Sequence, residues 1–135
     1  METKTLDNDI TVLYVTAGIF PAGVMAAFKK LGDLVPDMAE RKVFGLSRPE
    51  NGAIRYRAAV EEKFAGQAAQ LGCGTITLKS GKYVCETITG YMDKLPAIGD
   101  TFKRLIALPG IDPEGYCVEW YSGRTAVCCM VRLAE

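Results

Sequence analysis

No histidine occurs among the 135 residues. That removes Ser-His-Asp triads, Cys-His dyads, imidazole metal sites and every histidine proton shuttle. A surplus of one charge is also missing: 16 basic side chains balance 16 acidic ones, for a formal net charge of zero. Nucleic-acid binders carry a basic surplus or stripe, so neither DNA nor RNA is expected as a direct partner. The cysteines number five, and no Cys-x-x-Cys spacing appears. Cys128 and Cys129 are adjacent, and neighbours on a strand point to opposite faces, which suits neither a chelate nor a bridge. The five read as small buried hydrophobes of a reducing compartment. No metal and no cofactor is expected. Long apolar runs free of breakers are lacking too. Residues 10–28 carry no charge, a length that raises the membrane question. Thr11, Thr16, Gly18, Pro21 and Gly23 interrupt the run, and Asp7 and Asp9 precede it. A strand running into a helix explains it. A cytoplasmic protein with no membrane partner is expected.

What is present is an ordinary globular composition, 49% hydrophobic and 24% charged, close to the average for folded domains. The length suits a single domain over residues 1–135. Ile10 to Ala17 is rich in β-branched residues and reads as a strand ended by Gly18. Val24, Ala27, Phe28 and Leu31 recur at helical spacing after Pro21, and Pro36 limits or kinks that helix. Lys42 to Arg48 and Ala53 to Glu62 read as strands around the turn chemistry of Pro49-Glu50-Asn51-Gly52. In the second of these, Ile54, Tyr56, Ala58 and Val60 share one face. Gly66 to Gly74 is a small-residue linker, and Thr75 to Leu78 is a short strand candidate. Lys82 to Thr89 is a further strand, ended by Gly90. Ile98, Phe102, Leu105 and Ile106 then form a helical stripe after Pro96. Tyr116 to Tyr121 and Thr125 to Leu133 close the chain as two strands.

The halves, about 8–65 and 74–135, repeat one order of strand, helix, strand, strand. Phe28-Lys29-Lys30-Leu31 in the first helix corresponds to Phe102-Lys103-Arg104-Leu105 in the second. The expected class is α+β: duplicated strand–helix–strand–strand units in one mostly antiparallel sheet, with two main helices. A pocket is expected at the pseudo-twofold seam, where cavities often form.

The last hairpin carries the chemistry. A two-residue type II′ turn at Gly123-Arg124 pairs Ser122 with Thr125, Trp120 with Val127 and Glu119 with Cys128. One face then holds Val118, Trp120, Val127, Cys129 and Val131, wholly apolar and suited to pack on the helices. The other holds Cys117, Glu119, Tyr121, Ala126, Cys128 and Met130. That face is soft, small and aromatic around one carboxylate, and reads as a pocket wall. A carboxylate among apolar groups has its charged form disfavoured. It invites a cationic ligand or works as an acid or base near neutral pH. The competing reading is a glutamate at a wet strand edge, opposite Arg124 or Arg132. A turn longer by one residue changes the cross-strand partners but leaves Glu119 and Tyr121 on one face.

At these residues the sequence resembles the GyrI-like small-molecule-binding proteins, which include the effector-binding domains of AraC- and MerR-type multidrug regulators. The resemblance covers nearly the whole chain. It is carried by Val43-Phe44-Gly45-Leu46, Tyr56-Arg57-Ala58-Ala59-Val60, Ser80-Gly81-Lys82-Tyr83-Val84, Phe102-Lys103-Arg104-Leu105 and Val118-Glu119-Trp120-Tyr121. It implies a duplicated strand–helix–strand–strand fold with a pocket across the pseudo-twofold axis. It also implies a pocket glutamate on the penultimate strand, at Glu119, that faces lipophilic cations in multidrug-binding members. Aromatic walls would come from Tyr56, Tyr83, Trp120 and Tyr121, although the hairpin register puts Trp120 on the core face. No helix-turn-helix segment is recognisable, so a direct transcription factor is not expected.

Three readings follow. The first is stand-alone binding of small amphipathic or aromatic molecules, with cationic and neutral ligands both open, as effector binding or toxin sequestration. Here Glu119, Tyr121, Trp120, Tyr83, Tyr56, Cys117 and Met130 would line the site. The second is hydrolysis of strained cyclopropane rings in electrophilic toxins, with Glu119 activating water and Tyr121 or Tyr83 polarising the leaving atom. The third is a module for a protein partner, in the manner of a gyrase inhibitor. Monomer and dimer both stay open.

Overall fold

The computed structural model describes residues 1–123 and 125–134. Its strands are β1 (Glu2–Leu6), β2 (Ile10–Thr16), β3 (Val43–Glu50), β4 (Ala53–Glu61), β5 (Gly74–Leu78), β6 (Gly81–Thr89), β7 (Cys117–Ser122) and β8 (Ala126–Arg132). Its helices are α1 (Val24–Leu34), α2 (Gln67–Gln70) and α3 (Leu95–Ile106), with 3₁₀ turns at Met38–Glu40 and Tyr91–Asp93. The fold is α+β. All eight strands join one antiparallel sheet in the order β1-β6-β8-β7-β3-β4-β2-β5.

That order is symmetric about the central β7–β3 pair. One side reads β3, β4, β2 outward, and the other reads β7, β8, β6. Each side is closed by the first strand of the opposite half: β5 lies beside β2, and β1 beside β6. The repeating unit is therefore strand–strand–helix–strand–strand, one strand longer than the sequence pattern led us to expect. β1 escapes a hydrophobic reading because only Leu6 of its five residues is buried. What stabilises it is the ladder with β6, from Glu2 opposite Cys85 to Leu6 opposite Gly81.

Both long helices lie on one face of the sheet. Ala27 and Leu31 of α1, with Val35 just past its end, pack on Leu13, Ala58 and Val60. Phe102 and Leu105 of α3 pack on Val84, Val127, Cys129 and Val131. Leu31 and Leu105 are both fully buried, each worth roughly 2 kcal/mol of apolar burial. α3 starts with Pro96 in its first turn and ends with Lys103 and Arg104 in its last, placements that suit a helix start and the negative end of its dipole. The opposite face of the sheet forms a separate cluster around Phe44, Leu46, Val118, Met130, Val12 and Leu78.

Two turns set the registers that matter. At the β3–β4 hairpin, Asn51 and Gly52 have φ of +53° and +82°, the all-positive pattern of a two-residue I′ turn. This locks Gly45 opposite Ala58 and Ser47 opposite Tyr56. The β7–β8 hairpin departs from expectation. Ser122 pairs with Ala126 and Glu119 with Cys129, so the connection spans residues 123–125; Arg124 of the expected turn lies outside the described residues. One extra turn residue slides β8 by one position, and a one-residue slide exchanges its faces. Val127, Cys129 and Val131 do face α3, but they share that face with Cys117, Glu119 and Tyr121. Val118 and Trp120 lie on the other face, with Cys128 and Met130.

Candidate functional site

α1 covers the outer strands of one half and α3 those of the other, which leaves β7 and β3 at the seam between them. Glu119 on β7 lies directly opposite Gly45 on β3. It is 7% exposed, and with Thr101 it makes up the buried polar or charged residues described. Tyr56, from β4, is 1% exposed. Its Oη donates to Glu119 Oε1 at 2.9 Å. Tyr121, two residues along β7 on the same face, donates to the same oxygen at 2.5 Å.

Gly45 makes this meeting sterically feasible. A Cβ there would stand 2.0 Å from Tyr56 Oη and 2.7 Å from Glu119 Oε1. The phenol of Tyr56 thus lies across the bare backbone of β3 to reach β7. Glycine inside a strand usually weakens it and often marks such a close approach. That signal is legible in Val43-Phe44-Gly45-Leu46, yet only the space around Gly45 reveals what it serves.

Glu119 Oε2 accepts no hydrogen bond among the described residues. Among those residues the one sealed side-chain polar atom lacking a partner is Arg57 Nε, so Oε2 keeps a path to solvent. Burial pushes the Glu119 carboxyl above its ordinary pKa, and the two phenol hydrogen bonds oppose that rise. Burial and then the Glu119 charge push both Tyr56 and Tyr121 upward, so both stay protonated donors. Cys117, half-buried on the same face, has its thiol raised to about 11 by burial and then by Glu119.

Aromatic rings from three further segments surround the phenols. Phe20, in the loop before α1, stacks on Tyr56 with centroids 5.7 Å apart. Phe28 of α1 meets Tyr56 and Tyr121 edge-on at 6.1 and 5.7 Å. Tyr91, from the turn before α3, meets Tyr121 at 5.4 Å. Segments from both halves thus contribute to one aromatic enclosure. Phe20 is 44% exposed and borders solvent, as do its neighbour Ile19 and Met25. Sequence reasoning had not singled out Phe20, Phe28 or Tyr91 for the site, because the contacts cross between segments distant in the chain.

The structure therefore gathers Glu119, Tyr56, Tyr121 and Cys117 on one face. It puts Trp120, Tyr83 and Met130 on the other. The slide of β8 carries Met130 away from Glu119. Trp120 packs on Phe44, centroids 5.2 Å apart, with the Lys4 ammonium 3.9 Å from its ring centre. Tyr83 is 2% exposed and donates its hydroxyl to the Lys79 carbonyl at 2.7 Å. A groove of about 620 Å³ on that other side is lined by Lys4, Asp7, Lys42, Glu61, Phe64 and Trp120 among others, and by none of the Glu119 cluster.

No protein-family model and no curated protein matches the sequence. Solved structures do. SAV2435 bound to tetraphenylphosphonium aligns with a TM-score of 0.65 at 18% identity, over 97% of this chain and 93% of that one. At that identity the likeness shows a shared fold. An integron cassette protein from the mobile metagenome of Vibrio cholerae aligns at 0.68 and 18%, over 98% of this chain and 94% of its own. A structure described as a bacterial transcription regulation protein from Staphylococcus aureus MU50 aligns at 0.61 and 18%, over 97% of each chain. Among the described residues, no helix is long and apolar enough to cross a membrane.

Proposed function

We propose that this protein binds small lipophilic aromatic molecules, cations above all, at the seam between its two halves. One observation carries the reading: a buried carboxyl whose Oε1 is held by two phenols while Oε2 is left open, inside an aromatic enclosure. A carboxyl held in apolar surroundings gains most from a partner that brings positive charge without a tight water shell. Aromatic faces add cation–π attraction, worth more when desolvated. Phe20, Phe28 and Tyr91 supply those faces, and Phe20 is the exposed ring that a ligand displaces first. The fold likeness to SAV2435, solved with tetraphenylphosphonium, agrees with this choice of ligand class.

The test is calorimetric titration with tetraphenylphosphonium and with neutral triphenylphosphine oxide, using wild type and Glu119→Gln. The expected result is tighter binding of the cation and at least a tenfold loss in the variant. Equal binding of both compounds by both proteins would overturn the reading.

A second reading draws on the same carboxyl. Upward-shifted acids next to hydroxyl donors serve general acid–base catalysis, and Glu119 lies within hydrogen-bond reach of Tyr56 and Tyr121. Hydrolysis of a strained cyclopropane electrophile would use Glu119 Oε2 to take a proton from water and a phenol to polarise the leaving atom. Consumption of such a compound with uptake of ¹⁸O from water, lost in Glu119→Gln, would favour this reading over binding alone.

A further inference from the structure

The far end of the β3–β4 hairpin gathers positive charge on the sheet face away from Glu119. Arg48 and Arg55 stand directly opposite one another in the ladder, a like-charge pairing that destabilises a sheet unless something between them compensates. Glu50 compensates in part. Its Oε2 accepts from Arg48 Nε and Arg57 Nη1, both at 2.8 Å. Its Oε1 accepts from Arg57 Nη2 at 3.1 Å and lies 3.3 Å from Arg55 Nε. Three guanidiniums thus share one carboxylate, and Arg57 Nε is buried with no hydrogen-bond partner.

The cluster is also held rigid. The Arg48 guanidinium carbon lies 4.2 Å from the Tyr116 ring centre, and that of Arg57 lies 5.2 Å from Tyr14. Arg48 further donates to the Glu114 carbonyl at 3.3 Å. Arg48 and Arg55 still keep 35% and 45% of their side-chain surface open. Ordered, partly desolvated and under-neutralised guanidiniums are what recognise oxyanions by charge-assisted, forked hydrogen bonds.

We propose that Arg48, Arg55 and Arg57, flanked by Tyr14 and Tyr116, form a binding site for the phosphate group of a small molecule, separate from the Glu119 seam. Donors from several directions suit a tetrahedral phosphate better than a flat carboxylate. Glu50 then acts as an internal competitor that holds Arg57 when the site is empty.

The probe is inorganic phosphate, followed by calorimetry and by thermal unfolding against sodium chloride of matched ionic strength, with acetate as the flat-anion control. Phosphate is expected to bind saturably and raise the unfolding temperature more than chloride or acetate. Arg55→Ala is expected to weaken that binding about tenfold, and Glu50→Gln to tighten it several-fold. Arg55 is the most exposed of the three arginines, so its variant keeps the test valid if Glu50→Gln fails to fold. Phosphate acting no differently from chloride, or Arg55→Ala binding it as wild type does, would overturn the proposal. Tetraphenylphosphonium affinity is expected to be unchanged in Arg55→Ala.

Discussion

Gly45 and Glu119 occupy equivalent places in the two halves of the molecule. The same separation along the chain carries Ala27, Phe28 and Leu31 of one helix onto Thr101, Phe102 and Leu105 of the other. Since Gly45 and Glu119 also face each other across β3 and β7, the approximate twofold axis passes between them. The helix anchors Leu31 and Leu105 stay alike and fully buried, while the axial pair has diverged as far as side chains can. Two glutamates there would oppose like charges in a buried place, which neither solvation nor pairing would relieve. One half therefore supplies the acid and the other supplies room. Ser47 and Tyr121 are a second equivalent pair, and their partners across the hairpins are Tyr56 and Val127. Each half thus brings one tyrosine from a different strand, and both phenols reach one oxygen. The scaffold keeps its packing in duplicate, whereas the site on its axis is asymmetric.

Filling the room breaks this arrangement most severely. Gly45→Ala places a methyl 2.0 Å from Tyr56 Oη. The ring has no slack at 1% exposure, so strand or ring must shift and a buried hydrogen bond is lost. The expected cost is about 3 kcal/mol, from overpacking and an unsatisfied polar group together, read by urea unfolding. Adding Tyr56→Phe to the alanine variant should recover part of the loss, a non-additivity expected only of groups in contact. Additive losses would show that the two do not collide.

The acid side of the pair is tested by pH. Burial raises the folded pKa of Glu119 above 4.5, so the folded state keeps its proton where the unfolded chain has released it. The resulting stability is fully present below 4.5 and is lost as pH rises through the folded value. Glu50 behaves in the opposite sense: its arginines hold it down to about 2 from 4.5, so its contribution is present above 4.5 and lost as pH falls toward 2. Glu119→Gln should flatten the upper slope of the stability profile, and Glu50→Gln the lower one. Cation binding should also release a proton from Glu119 and strengthen with pH until the carboxyl is ionised unaided. An affinity for tetraphenylphosphonium that stays level as pH rises from 4.5 through the pH at which Glu119 is observed to lose its proton would remove Glu119 from the binding event.

The phenols are the next smaller step. Tyr121→Phe and Tyr56→Phe each delete one donor to Oε1 and should each cost about 1 kcal/mol in stability. Each should also move the Glu119 pKa further up, because those hydrogen bonds are what hold it down. Carboxyl chemical shifts across a pH titration measure that directly, and a purely structural tyrosine would leave the carboxyl where it is.

How far the sequence reached follows from which signals are local. Strands and the two long helices were legible because their patterns lie within ten or so residues, as in Ala53–Glu61 and Leu95–Ile106. The shared face of Glu119 and Tyr121 followed from strand alternation alone and was insensitive to the turn. The faces of β8 depended on one residue of turn length, and there the reading slipped. The exchange of β1 and β5 between halves has no local signature, since Glu2–Leu6 alternates weakly and its partner β6 lies far along the chain. The reach of Tyr56 over Gly45 is equally non-local: it needs the β3–β4 and β3–β7 registers together.

The smallest expected effect concerns the other side of β7. Trp120 is the protein's single tryptophan, and it adjoins Glu119 in sequence while pointing to the opposite face, onto Phe44 and beneath Lys4. A ligand at the seam touches the Glu119 side of a strand whose backbone separates it from the indole. Trp120→Phe should therefore change tetraphenylphosphonium affinity by less than about twofold, well under the 1.4 kcal/mol of a tenfold change. Tryptophan emission should hardly respond as the seam fills, while the tyrosine signals of Tyr56 and Tyr121 should. Strong quenching of Trp120 that survives Glu119→Gln would instead put the cation in the groove beside Lys4, where the ammonium already shows that the indole face accepts positive charge. That outcome would turn the comparison from two halves about an axis to two faces of one strand.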